Sequence, residues 1–563
     1  MKSDLAISQE APLKNVYTVA EEFGLTEDLI EMHGKYKAKV SLDALKTPVD
    51  KKGKYILVTA ITPTPLGEGK TVTTIGLSMA LNKIGKKTAA AVRQPSMGPV
   101  FGIKGGAAGG GDAQIVPMEE FNLHLTGDIH AVSIAHNLLA SFIDNHMFHS
   151  NELNIDQFSI TWPRVVDIND RALRNIIIGL GKRTDGIPRQ SSFDIAVASE
   201  VMAVLALAKD IFDLRKRLGE IVIGASKDGK PITAEALRCA GAMTAVMLDA
   251  IKPTMMQTLD NTPCLIHAGP FGNIAHGNSS IVADYIGLKY CDYVVTEAGF
   301  GADMGAEKFV NIKCRVSGLK PDAAVVICSI RALKMHSGKY SVIAGRALPR
   351  ELVEENLVAL VQGLPNLAKQ VENIQIYGIP VVVAINRFPD DTDKEIEIVR
   401  KEALQYGVAD VVVSEVHAHG SDGGVELAEA VVKAAEQPYT FKLLYPNEYS
   451  ITDKIRTIAM KIYGAKDVEI LPEAKRDIQR LEDWGFGHLP ICMAKTHLSL
   501  SHDPKLKGRP KDFEVPIREV RLSSGAGFLY PLCGDMMTMP GLGSKPGGTR
   551  VDIDEHGNIV GLF

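Results

Sequence analysis

From Tyr55 onward one motif recurs along the chain: a short continuous apolar run rich in β-branched residues, a glycine and proline turn, then an amphipathic stretch. Runs without polar alternation read as strands buried on both faces. Separated by helices, they read as a doubly wound, mostly parallel sheet of the α/β class. The expected strands are 55–60, 88–92, 221–223, 293–296, 324–328, 380–385 and 411–413, and the expected helices include 71–84, 130–146, 196–218 and 393–406. At 563 residues the chain exceeds one core, and composition shifts near 365 and 470 suggest three units. These are a nucleotide-binding unit (1–365), a second α/β domain (366–470) and a small β-rich C-terminal domain (471–563).

The nucleotide assignment rests on Tyr55-Ile-Leu-Val-Thr-Ala-Ile-Thr-Pro-Thr-Pro-Leu-Gly-Glu-Gly-Lys-Thr, followed by a helical stretch. Strand, glycine turn, Lys-Thr and helix are the parts of a P-loop NTPase-like cradle, in which backbone N–H groups at a helix N-terminus hold phosphates. Lys70 would neutralise the β- and γ-phosphates of ATP, and the Thr71 hydroxyl would ligate Mg²⁺. Thr64 stands where the first glycine of G-x-x-x-x-G-K-T belongs, so the loop is a variant made of Thr64, Gly67, Glu68, Gly69, Lys70 and Thr71.

The next expected strand ends in Arg93. Ligands of an open parallel sheet sit beyond the carboxyl ends of its strands. Arg93 therefore reads either as a bidentate contact to a phosphate or carboxylate, or as a solvated surface arginine. Six glycines in the ten residues 102–111, Gly105 and Gly106 among them, exclude a stable helix or strand and suit a binding loop better than a linker. Asn386, at the end of Val-Ala-Ile-Asn, resembles the strand-end asparagine that contacts the base in related P-loop folds. Asp128 and Asp303, each beside glycine, read as an Mg²⁺ ligand, a base or a helix cap. The histidines between 124 and 149 lack metal-site spacing and read as structural.

Taken together, these segments resemble the formate–tetrahydrofolate ligase family. The likeness runs through T-P-T-P-L-G-E-G-K-T, the glycine segment 102–111, Asn122-Leu-His-Leu-Thr-Gly-Asp, residues 296–308, residues 331–336 and Met537-Thr-Met-Pro-Gly. The resemblance implies that ATP phosphorylates formate and that the N10 amine of tetrahydrofolate takes the formyl group. Lys70, Arg93 and Asp128 are the expected catalytic residues, and the resemblance implies that Arg93 holds the acyl phosphate. Phe300, Phe388 and an aromatic after Ser414-Glu415-Val416 would shape the pterin pocket. It also implies a homotetramer, a large cavity between three domains, and Mg²⁺, with a monovalent cation left open.

Departures from the family pattern gather at the acceptor end. Asp112 stands for a tyrosine, Gln94 for a glutamate and His417 for the pterin-stacking aromatic. Ala494-Lys-Thr-His-Leu-Ser-Leu-Ser-His replaces A-K-T-Q-Y-S-F-S-D. Competing readings are a paralogous ligase serving another amine or small acid and, from another class, a P-loop switch ATPase. The net charge of −5 gives no footprint for nucleic acid or an anionic membrane. The first fifteen residues have no apolar core, no run approaches a membrane span, and a cytoplasmic location is expected. Seven scattered cysteines without a C-x-x-C pair argue against a disulfide framework or structural zinc.

Overall fold

The computed structural model describes residues 2–46, 53–102, 107–340, 342 and 348–562. Its centre is one mixed twelve-stranded sheet in which Gly109–Gly110 and Ala113–Val116 form a side branch; the strands of its main path, labelled in chain order, are β1 (Ile30–Met32), β2 (Ala38–Val40), β3 (Lys54–Ala60), β4 (Thr88–Val92), β5 (Thr254–Thr258), β6 (Pro263–Ile266), β7 (Tyr293–Glu297), β8 (Ala323–Cys328), β9 (Val381–Asn386) and β10 (Asp410–Ser414). The spatial order is β1-β2-β5-β6-β4-β7-β3-β8-β9-β10. Every pairing from β6 through β10 is parallel, whereas β1, β2 and β5 add an antiparallel flank.

The parallel strands lack polar alternation because both faces are covered. Tyr55 and Leu57 of β3 enter one core cluster, while Ile56, Val58 and Ala60 enter another on the opposite face. Val326 and Cys328 of β8 likewise oppose Val325 and Ile327. Burying each such side chain contributes about 1.5–3 kcal/mol, so a polar residue at either parity would be costly. Helix Lys70–Lys83 and helix Val425–Ala435 close the face carrying Ile56 and Val58 through Leu77, Leu81, Leu427 and Val431.

Two expectations change. The run at 221–223 falls in a strand, Val222–Ala225, that pairs antiparallel with Pro231–Thr233 in a separate hairpin rather than joining the central sheet. The single helix expected over 196–218 is three pieces: a turn at Ala196–Ala198, a helix Glu200–Leu207 and a helix Ile211–Glu220. Ser199 caps the first helix through the Met202 N–H, and Asp210 caps the second through Phe212 and Asp213. Those side-chain caps satisfy helix-start donors and so favour new starts over one continuous helix.

Residue 365 falls within helix Leu357–Gln375, and β9 and β10 extend the same central sheet. Beyond 470 come helix Pro472–Asp483 and short strand pairs, Glu519–Ser523 with Phe528–Leu532 and Asp552–Ile553 with Ile559–Val560. Among the described residues no helix is long and apolar enough to cross a membrane. All seven cysteines are buried.

Three buried histidines are held neutral. Burial pushes His136 and His336 down to about 4, and His267 down to about 3. Each imidazole N–H has a carbonyl acceptor: Pro163 for His136, Ala250 for His267 and Thr62 for His336. A lowered folded value means stability present above the unfolded value near 6.5 and lost as pH falls through it. Glu200 and Glu307, pushed up by burial to about 8 and about 7, act in the opposite sense, since their stabilisation is lost as pH rises through those values. The two sets offset each other in the wild type, so a single histidine is best read by difference. In His267→Gln, the stability change between about pH 7.5 and pH 5 should differ from wild type by about 2 kcal/mol, measured by urea unfolding. Identical pH slopes would remove His267 from this account.

Candidate active site at the carboxyl edge of the sheet

The turn from β3 to helix Lys70–Lys83 begins at Thr62, which is fully buried and bonded at every polar atom. Its N–H donates to Asn366 Oδ1 (3.1 Å), and its carbonyl accepts from His336 Nε2 (2.8 Å). Its hydroxyl accepts from Asn366 Nδ2 and Gln370 Nε2, both at 2.9 Å. The Gly508 N–H donates to His336 Nδ1, which places the histidine proton on Nε2. Asn366 also donates to the Gly508 carbonyl, while Gln370 reaches Asp303, whose other oxygen accepts from Lys495 at 2.8 Å. The root of the loop is thus tied to one helix and to the C-terminal region.

Beyond that root, the Thr64 N–H and hydroxyl both donate to Glu68 Oε1, at 2.6 and 3.0 Å. The Gly67 N–H donates to the Thr64 carbonyl. This clasp shapes the loop in place of the glycine that Thr64 displaces. Gly69 precedes the helix in the left-handed region at φ 80°, and a Cβ there would lie 2.5 Å from Asn386 Nδ2. Only glycine satisfies both the dihedral and the approach. Asn386, at the end of β9, donates to the Glu68 carbonyl at 3.2 Å, so it supports the loop from beneath. Lys70 opens the helix, its Nζ 3.6 Å from buried Glu68.

The Thr71 hydroxyl donates to Glu297 Oε2 at 2.8 Å, and Arg93 Nη2 stands 3.9 Å from Glu297 Oε1. One buried carboxylate at the end of β7 therefore lies between the helix start and the arginine. Of the two readings of Arg93, the solvated surface one is set aside: its Nε is buried without a partner in the protein, and Nη1 donates to the Pro270 carbonyl. The guanidinium lies against Gly299, where a Cβ would be 3.2 Å from Nη2. Other buried polar atoms without protein partners lie on the segments around it: Gln94 Oε1, Asn273 Oδ1, Asn278 Oδ1 and both nitrogens of His276. A glycine loop, a helix N-terminus, a lysine and an arginine at one sheet edge can receive an anion with several charges.

Phe300 follows Gly299 with φ 65°, and its ring stacks on His497 at 4.6 Å between centroids. Phe388 lies against the Arg331 guanidinium, 3.8 Å from the ring centroid. His417 is exposed, its carbonyl accepting the N–H of exposed Asp112 (2.9 Å). Phe388 and His417 make no ring contact among the described residues. Gly105 and Gly106 lie outside the described residues.

Asp128 is placed elsewhere. Its carboxylate is buried against the Lys39 ammonium of β2, at 2.6 and 2.7 Å, and it opens helix Asp128–His149. An aspartate after glycine at a helix start looks the same in sequence whether it faces a ligand or a partner lysine. Among the described residues no group of three or more His, Cys, Asp or Glu could hold a metal ion. Sequence reading passed over Glu297 and His497. The acid closing Tyr-Val-Val-Thr-Glu ahead of Gly-Phe-Gly was the available signal for the first, and the His497 departure itself for the second.

Fold and site define an α/β protein with an anion-competent loop at the carboxyl edge of a parallel sheet. The family model described as formate–tetrahydrofolate ligase matches residues 2–563. The chain is 58% identical over 562 residues to a formate–tetrahydrofolate ligase of Desulforamulus reducens, covering 100% of this chain and 99% of the relative. It is also 58% identical over 563 residues to that of Roseiflexus castenholzii, with full coverage of both, and 56% identical over 572 residues to that of Chloroflexus aurantiacus, again with full coverage. The chain belongs to the formate–tetrahydrofolate ligase family.

The clamp on Thr62 gives a direct test. Asn366→Ala removes three hydrogen bonds and leaves the buried Thr62 N–H unpaired, so it should cost about 2–4 kcal/mol of stability in urea unfolding. A loss below about 1 kcal/mol would show that the loop root is held by other contacts.

Proposed function

We propose that this protein is an ATP-dependent formate–tetrahydrofolate ligase. It joins formate to the N10 amine of tetrahydrofolate, with ADP and phosphate as the other products. Family membership over the whole chain supports the reaction, and the observation that carries it is the line Lys70, Thr71, Glu297, Arg93 along the sheet edge. In this reading a formate oxygen attacks the γ-phosphorus of ATP, ADP leaves and formyl phosphate forms. The N10 amine then attacks the formyl carbon, the carbon–oxygen bond to phosphate breaks, and the amine loses its proton.

Phosphoryl transfer of this kind asks the protein for alignment and charge rather than a covalent group. The loop N–H groups and Lys70 hold the β- and γ-phosphates, and Asn386 keeps the loop open by supporting Glu68. Arg93, one strand-end away, receives the phosphate as it becomes part of the acyl phosphate. Its buried Nε, without a protein partner, is a donor still available to an anion. The hard oxygen donors Thr71 and Glu297 suit Mg²⁺, which when bound would supply charge neutralisation at the phosphates. We assign the pterin to the aromatic surface of Phe300, with Phe388 and the Asp112–His417 pair farther along the same edge.

Lys70→Ala should abolish formate-dependent ADP release while the circular dichroism spectrum is retained. Near-normal turnover in that variant would remove the loop from the mechanism. Arg93→Ser should lower kcat/KM for formate by about 2–4 kcal/mol of transition-state stabilisation, with ATP affinity by calorimetry nearly unchanged. Collapse of ATP binding with surviving formyl transfer would place Arg93 on the nucleotide instead.

A further inference from the structure

A cavity of about 680 Å³ lies apart from the site above. It lies where the segments 158–163, 189–203 and 222–229 meet the C-terminal residues 473–484 and 519–538, and none of Lys70, Thr71, Arg93 or Phe300 lines it. Its chemistry is lopsided. Three arginines face it, and each is already paired: Arg189 with Asp144 (2.9 Å), Arg480 with Asp477 (2.7 Å) and Arg521 with Glu519 (2.9 Å). Glu473 is paired with Arg476.

What the cavity leaves over is acceptors. Glu200 Oε1 takes the Gly525 and Ala526 N–H groups, at 2.7 and 3.4 Å, and no cation is among the groups that act on this carboxyl. Asp194 Oδ1 accepts from the Thr538 hydroxyl, with Arg521 acting on it only as the weakest influence. His136 is buried against Trp162, its Nε2–H donates to the Pro163 carbonyl, and its Nδ1 has no partner in the protein. Tyr530, which neighbours Arg521, Glu200 and Asp194, is pushed up to about 12 and stays neutral. Two half-buried carboxyls that form no ion pair among the described residues and an orphaned imidazole acceptor leave hydrogen-bonding capacity unused. A ligand rich in N–H donors and carrying positive charge would relieve all three.

We propose that this cavity is a second ligand site, for a small aliphatic cation bearing guanidinium or ammonium groups. The inference stands on the cavity and its unmatched acceptors and is independent of the ligase reading. A volume of this size takes a molecule of drug-like dimensions or smaller, and two separate carboxyls favour a charge at each end.

Burial raises the Glu200 carboxyl to about 8, and Asp194 is raised as well, so a cation that binds at neutral pH displaces protons. Affinity should therefore rise as pH increases from about 6.5 to 8.5, in the sense set by linkage. The guanidinium and ammonium groups of agmatine stay charged across that range, which makes it the probe.

Calorimetric titration of the full-length protein with agmatine at low ionic strength should show saturable binding to one site. Glu200→Gln keeps the shape and the acceptor for Gly525 and should weaken binding about tenfold or more, with the pH dependence reduced. Ser192→Tyr, on the half-buried wall, should weaken it similarly by filling space, and serves if the glutamine variant folds poorly. Absence of saturable binding overturns the proposal. So does binding that is equal in wild type and both variants, which would be attraction to the acidic surface.

Discussion

Thr62 is the residue on which the arrangement at the sheet edge depends. A phosphate-binding turn is useful only if its backbone N–H groups point at one place, and a glycine loop has no stiffness of its own. Here the stiffness is imported. Four side-chain bonds converge on a single threonine, from Asn366, Gln370 and His336, and fix the point where the strand stops and the loop begins. The Thr64–Glu68 clasp then propagates that position to Gly69 and the helix start.

The charges follow the same logic of fixed positions. Glu297 holds Thr71 directly and Arg93 through charge alone, so it sets the spacing between the two ends of the site without filling either. Charges that would otherwise be adrift in the interior are matched elsewhere: Lys495 with Asp303, Lys334 with Glu395 and Lys313 with Asp284. Buried pairs of this kind contribute little net stability, but breaking one leaves an uncompensated charge. Their consequence here is geometric, since Lys495 and Asp303 belong to the network behind Thr62.

How much of this was legible in the sequence depended on how local each signal was. The parallel strands were, because burial on both faces writes itself as an unbroken apolar run such as Ile56–Val58 within Lys54–Ala60. The run at 221–223 has the same character but buries its side chains in a different core, and nothing local separates the two. The break in the long helix was carried by Ser199 and Asp210, whose meaning as caps depends on where the chain turns. The places of Lys70 and Thr71 at a helix start and of Arg93 just past a strand end were legible through spacing. Asp128 misled because its partner, Lys39, is eighty-nine residues earlier and only the fold brings them together. Glu297 was missed for the converse reason: a strand-final glutamate is unremarked until β7 is seen to lie between β3 and β4.

The residues behind Thr62 come from 303, 336, 366, 370, 495 and 508. During synthesis the glycine loop leaves the ribosome early, whereas Lys495 and Gly508 follow only when some nine-tenths of the chain has been made. The growing polypeptide therefore carries an unset loop for most of its translation. The final shape of the loop root arrives at the end, when the tail folds back behind it, so that a chain released early is also one whose Thr62 lacks the support of that network.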